Sequence, residues 1–344
     1  MYGFLIAIGV VLLLSVIWMV YRIQSLISVA KGSDKKIETT SNKVNAFLFV
    51  VFLVGTFGLM TWYSIKEFSN YQLPIASVHG EVTDKLFWIT MAVTGFIFIL
   101  THILLFWFPY KYQYKADRRA AYYPDNNKLE VIWTLVPAVV LALLVISGWR
   151  AWTDITDPAP DGAHQVELMG YQFAWEIRYP GKDDILGDFD YRLINASNSR
   201  GIDFSDQNSI DDFPSQSVVI PKGEPVIFKI RARDVLHSVF APHMRLKMDA
   251  VPGMPTRFWF IPTKTTAEMR VELGDDEFEY EIACTEVCGS GHFSMRKVIT
   301  VVEPEEYRKW YNDQKTFVDS NPSLVLDLPL DDKGLARTSN EYTK

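Results

Sequence analysis

The 344 residues hold 34 Lys and Arg against 41 Asp and Glu, a net charge of −7, with 49% hydrophobic residues and a mean hydropathy of +0.04. Such a composition excludes a disordered chain, which lacks the apolar side chains to drive burial. The average conceals a division: residues 1–151 carry 13 basic and 8 acidic side chains, net +5, whereas residues 152–344 carry 21 and 33, net −12. This reads as a membrane anchor joined to an acidic soluble domain, and the acidity argues against nucleic acid, which needs clustered Lys and Arg. Two cysteines are too few for a disulfide framework.

Four uncharged apolar stretches open the chain, at residues 3–21, 44–65, 86–110 and 131–149. Each is near the roughly 20 residues that cross a bilayer as a helix. The first has no basic residue ahead of it and no small-residue cleavage site behind it, so it reads as a retained helix and not a removable signal. Five basic residues (Arg22, Lys31, Lys35, Lys36, Lys43) follow the first stretch, and five more (Lys111, Lys115, Arg118, Arg119, Lys128) follow the third. The loop between the second and third holds only Lys66 and Lys85. Basic loops stay cytoplasmic, which places the N-terminus and everything after residue 149 outside a bacterial-type inner membrane. The expected organisation is two helices in 1–65, a helical hairpin in 66–151 and an extracytoplasmic domain in 152–311.

The soluble half alternates apolar and polar residues in short runs: HQVELMGYQFAWEIRY, QSVVIPKGEPVIFKIRA, TRFWFIPTKTTAEMRVEL, EFEYEIAC and MRKVITVVEP. Period-two patterning broken by Pro-Lys-Gly and Gly-Asp-Asp predicts antiparallel strands in a β-sandwich or small Greek-key barrel. Residues 182–217, rich in Asp, Asn and Ser, read as a surface insertion. EPEEYRKWYNDQ predicts a short helix with Tyr307, Trp310 and Tyr311 on its apolar side. Residues 312–344 read as a tail, mobile over its last two dozen residues.

Chemistry concentrates in Cys284-Thr-Glu-Val-Cys288-Gly-Ser-Gly-His292-Phe-Ser-Met295, where a strand runs into a Gly-rich turn. Two thiols, an imidazole and a thioether form the ligand set suited to copper in electron transfer. His237, in Asp234-Val-Leu-His237-Ser, follows a strand and offers a further donor. Two other readings stand beside this one. Zinc could take Cys284, Cys288, His292 and His237, although it has no use for Met295 and the CxxxC spacing is unusual for it. A Cys284–Cys288 disulfide is possible outside the cytoplasm but leaves His292 and Met295 without a role.

The order His237, then Cys-x-Glu-x-Cys-Gly-x-x-His-x-x-Met, closely resembles the dinuclear copper (CuA) site of subunit II of the haem-copper cytochrome c oxidases. LEVIWTLVPAVVLALL, GYQFAWEIRYPG, DVLHSVFAP and LKMDAVPG resemble the same family independently, and the likeness runs from about residue 76 to 311. It implies transmembrane helices followed by an all-β cupredoxin-like barrel. Cys284 and Cys288 would be bridging thiolates. His237 and Met295 would complete one copper, with His292 and the backbone carbonyl of Glu286 completing the other. The Glu286 side chain resembles a magnesium ligand at the boundary with subunit I, and Glu130 matches the entrance of a proton pathway. Phe173 and Trp175 fall where the family receives electrons. The implied partners are subunit I with its haem and CuB, other oxidase subunits, and a c-type cytochrome or membrane-bound donor complex. The implied activity is proton-pumping reduction of oxygen to water.

Departures accompany the likeness. The family usually has two spanning helices where this chain has four, and Phe173 stands where many relatives carry Trp. A quinol oxidase subunit would lack the copper ligands, and nitrous oxide reductase would bring a large propeller. A fused haem domain would need C-x-x-C-H, which two cysteines at this spacing cannot supply. A membrane-tethered copper carrier is the non-enzyme alternative.

Overall fold

The computed structural model describes residues 2–31, 40–115 and 117–321, with backbone alone for residues 2–7. Lys35, Lys36 and the tail beyond residue 321 lie outside the described residues. The described residues form two compact units, one within 1–71 and 92–132, the other within 72–91 and 133–344.

Four helices account for the apolar stretches: α1 (Tyr2–Ala30), α2 (Thr40–Glu67), α3 (Val78–Lys111) and α4 (Asn127–Thr156). Each is long and apolar enough to cross a membrane. Their large side chains point outward, the expected arrangement when the solvent is hydrocarbon. Within the first unit, Phe49 and Phe52 of α2 meet Phe106 of α3, and Phe57 meets Phe98.

The second unit is built on β1 (His164–Tyr171), β2 (Ala174–Tyr179), β3 (Phe213–Ser215), β4 (Val218–Pro221), β5 (Val226–Ala232), β6 (His237–Ala241) and β7 (Leu246–Ala250). It continues through β8 (Thr256–Phe260), α5 (Thr266–Leu273), β9 (Tyr280–Cys284), β10 (Arg296–Val302), α6 (Pro304–Asn312) and α7 (Phe317–Ser320). The strands make two five-stranded sheets, ordered β3-β2-β1-β5-β8 and β4-β10-β9-β6-β7. Inward residues of both, among them Leu168, Ile177, Phe228, Val239, Ile282 and Ile299, are fully buried between them. Most neighbours are antiparallel, as the alternation predicts, but β1 pairs with β5 and β10 with β4 in parallel. Short-range alternation carries no information about that direction.

Two further expectations change. TRFWFIPTKTTAEMRVEL does not continue as a strand after Phe260: Thr265 caps α5 by accepting from the Glu268 N–H, and Glu268 accepts from the Thr265 N–H. That capping box, with Gly274 closing the helix at φ 65°, outweighs the alternation. The 182–217 segment, read as surface, covers the outer side of β1 and β2 and contributes buried Ile202, Ser209, Asp212 and Phe213. Beneath it Arg178 donates to Glu167 at 2.8 and 2.9 Å and to Asp212 at 2.8 Å, while Arg231 donates to Glu167 at 2.9 and 3.1 Å. Burial opposes ionisation of Glu167, yet the two guanidiniums hold its carboxyl down to about 2.

The α6 expectation holds, with Tyr307 buried and Trp310 and Tyr311 packed on the core beside Tyr179 and Phe213. The described start of the tail forms α7, whose Phe317 N–H donates to the Asp212 carbonyl. The barrel also holds the start of α3 and the end of α4. The Ala76 and Val78 N–H groups donate to the carbonyls of His243 and Ile261, and the Thr263 N–H donates to the Ala76 carbonyl. Arg245 clamps Asp84 through two bonds of 2.6 and 2.9 Å, and Arg257 donates to the Thr156 carbonyl at 3.1 Å.

Candidate metal centre

β6 and β9 are antiparallel neighbours, with Val239 opposite Cys284, so the start of one strand lies beside the end of the other. That register brings His237 to the 284–295 turn across 47 residues of sequence. The metal-ligating atoms of His237, Cys284 and Cys288 all lie within 4.8 Å of one another, and all three residues are buried. His237 Nδ1 is 3.9 Å from Cys284 Sγ, and the Cys284 thiol donates to the Glu286 carbonyl at 3.3 Å. Cys288 Sγ lies 3.5 Å from His292 Nδ1 and 3.3 Å from Met295 Sδ. All six donors expected from the sequence therefore meet at one place.

The donor set fits copper. Thiolate, imidazole and thioether are soft or intermediate ligands, and the two cysteines are free. Burial first, and then the neighbouring Cys284 thiol, push Cys288 up to about 11. A bound cation would oppose that effect at Cys288, since metal ligation takes the thiolate form.

The turn between β1 and β2 supports the ligands. The Gln172 side chain donates to the Cys288 carbonyl at 2.6 Å, and the Gln172 N–H donates to Asp234 at 2.8 Å. Asp234 in turn lies 2.9 Å from His237 Nε2, leaving Nδ1 directed at the thiols. Burial disfavours the Asp234 carboxylate, but bonds from Gln172, His237 and Val235 hold it below its ordinary range. Asp234 and Gln172 were not singled out from the sequence; an acid three residues before the ligand His is the one signal for Asp234. Gly170 completes the support, since a Cβ there would come within 2.9 Å of Trp175 and 3.0 Å of His237.

Trp175 is only 2% exposed, its ring 6.0 Å from that of His237, so it lies under the site and away from solvent. Phe173 is half-buried and rests on Gly289 and Gly291, where any Cβ would meet its ring. Val287 and Phe293, beside the ligands, are 83% and 89% exposed. The Glu286 side chain is half-buried, and Glu130 is exposed in the first turn of α4. Of the histidines given no ligand role, His164 pairs with Glu224, His243 packs on Phe278 and Tyr280, and His79 packs on Trp259.

Two cupredoxin-like sheets with a soft-donor site at the β6–β9 end, together with helices long enough to cross a membrane, define a membrane-anchored protein with a cupredoxin-like domain. Family comparison narrows this: residues 164–302 match the family described as cytochrome C oxidase subunit II, periplasmic domain, and residues 68–150 match its transmembrane domain. The chain is 35% identical to the alternative cytochrome c oxidase subunit 2 of Bradyrhizobium diazoefficiens, over 71% of this chain and 84% of that one. It is 29% identical to the probable cytochrome c oxidase subunit 2 of Rickettsia bellii, over 70% of this chain and 82% of the other. The solved periplasmic domain of subunit II of cytochrome oxidase from Bradyrhizobium japonicum aligns at 22% identity with a TM-score of 0.31, covering 46% of this chain and 95% of that one. The chain belongs to the cytochrome c oxidase subunit II family. It is thus a subunit of a haem-copper oxidase, a membrane protein with an extracytoplasmic domain.

Proposed function

We propose that this subunit takes electrons from a c-type cytochrome at a dinuclear copper centre and passes them to haem in subunit I, for reduction of oxygen to water coupled to proton pumping. The observation that carries the reading is the convergence of His237, Cys284 and Cys288 within 4.8 Å, flanked by Met295, His292 and the Glu286 carbonyl. Cys284 and Cys288 would bridge the coppers, His237 with Met295 would hold one, and His292 with the Glu286 carbonyl the other. Bound there, the copper pair would supply one-electron redox chemistry. Asp234 and Gln172 fix the imidazole and the Cys288 carbonyl, and their bonds restrict ligand movement between redox states.

On this reading Phe173, resting on Gly289 and Gly291 of the turn that also exposes Val287 and Phe293, offers the apolar contact for the donor, because Trp175 is enclosed. The −12 of residues 152–344 attracts a basic cytochrome at long range; a membrane-bound donor complex would instead gain from proximity. The Glu286 carboxylate is assigned to magnesium at the subunit I boundary, and Glu130 to proton uptake at the cytoplasmic end of α4. The reading keeps residues 152–311 as the copper domain, 66–151 as its helical hairpin and 1–65 as an addition to the usual two-helix plan.

Electron paramagnetic resonance of the purified oxidase, with copper counted per chain, tests the assignment. A spectrum of one electron shared equally by two coppers is expected. Copper that exchanges readily with chelators and gives no shared-electron pattern would overturn it and favour a carrier.

A further inference from the structure

The outer face of the first sheet carries a row of charges set by strand register. Arg178 of β2 stands opposite Glu167 of β1, Glu167 beside Lys229 of β5, and Lys229 opposite Arg257 of β8. The two ends of the row differ. Glu167 is saturated by Arg178 and Arg231, so that end is compensated within the chain. Lys229 and Arg257 are exposed and form no ion pair among the described residues; Arg257 uses only Nε, on the Thr156 carbonyl.

A pocket of about 530 Å³ opens between these two cations and the last turn of α4, with Trp152, Phe189, Met248 and Pro255 among its walls. α4 has 30 residues, about 45 Å at 1.5 Å per residue, against a hydrocarbon layer of about 30 Å. Its uncharged stretch ends at Trp149 and Arg150 follows, so Trp152 and Thr156 fall in the headgroup layer that favours Trp. The pocket, which Glu167 and Arg231 also line, therefore joins two cations that form no ion pair among the described residues to an apolar wall at the depth of lipid phosphates. Inorganic phosphate would satisfy the cations and leave the wall bare, whereas a glycerophosphate with the start of its acyl chains covers both.

We propose that this pocket binds the headgroup of an anionic phospholipid from the outer leaflet, with Lys229 and Arg257 as the phosphate-binding side chains. The assembled oxidase, stripped of loosely held lipid and titrated with phosphatidylglycerol, would be followed by native mass spectrometry. Wild type should retain one more phosphatidylglycerol than the Lys229→Ala/Arg257→Ala variant, whose affinity at this site should fall on the order of 10-fold or more. Lys229→Arg/Arg257→Lys should restore it, and copper content should be equal in all three, which separates lipid loss from misfolding. Equal retention by the double-alanine variant would overturn the site. So would equal retention of phosphatidylcholine, displacement by an equal concentration of inorganic phosphate, or loss of a protein subunit in place of a lipid.

Discussion

Under the 182–217 segment, Glu167 meets Arg178 and Arg231 and Arg178 meets Asp212, so buried charge is compensated from within the chain. At the 284–295 turn, two buried thiols face an imidazole whose far nitrogen meets Asp234, and no Lys or Arg pairs with the thiols among the described residues. The first arrangement draws its partners from within the chain. On the proposed reading the second is completed by a bound metal, so the same barrel would hold one polar cluster for stability and another for a ligand.

The contrast breaks most sharply at the thiols. Cys288→Ser should abolish the shared-electron spectrum outright, because on the proposed reading this thiolate serves both metals; a normal dinuclear spectrum in that variant would sink the assignment. On the other side of the comparison, Glu167→Gln leaves two buried guanidiniums without their carboxylate and should cost about 3–5 kcal/mol of stability. Chemical denaturation in detergent measures that loss, and the copper spectrum of the folded variant should be unchanged. The wild-type cluster also has a pH signature. Glu167 is held at about 2, below its ordinary 4.5, so its contribution is fully present above about pH 4.5 and is lost as pH falls toward 2. Stability that is flat across that interval, or that matches Glu167→Gln throughout, would contradict the pairing.

Smaller effects sharpen the metal side. Asp234→Asn keeps the side chain's size but removes the carboxylate at His237 Nε2, and should weaken copper binding roughly 10- to 100-fold. Competition with a chelator reads this directly, and an affinity equal to wild type would remove Asp234 from the site. Met295→Leu should retain copper and shift its redox potential, since a thioether is a weak ligand. Complete copper loss in potentiometric titrations of that variant would show Met295 to be a holding ligand instead.

The two clusters also differ in how far the sequence exposes them. Five of the six proposed copper donors fall within twelve consecutive residues, and the strand before them signals where the turn begins. Gln172 escapes notice because its bonds reach Cys288 and Asp234 across the fold, while Asp234, three residues before His237, has only that spacing to mark it. The ion cluster is harder to see, since Asp, Asn and Ser in 182–217 have the composition of a solvated loop. Only the fold shows that Asp212 is spent on Arg178. For α5 the opposite holds: Thr265 and Glu268 spell a capping box in plain sequence, and period-two alternation in the same run hides it.

The clasp around residues 76–84 has a mechanical consequence. Ala76, Val78 and Asp84 are bonded to the barrel at the head of α3, and Thr156 is bonded to it at the foot of α4. A domain joined through one linker swings in any direction; one joined at two separated points can turn only about the line between them. On the proposed reading the copper ligands are therefore seated on one packed unit with the helix ends at residues 76–84 and 156 and do not hang from them on a free tether.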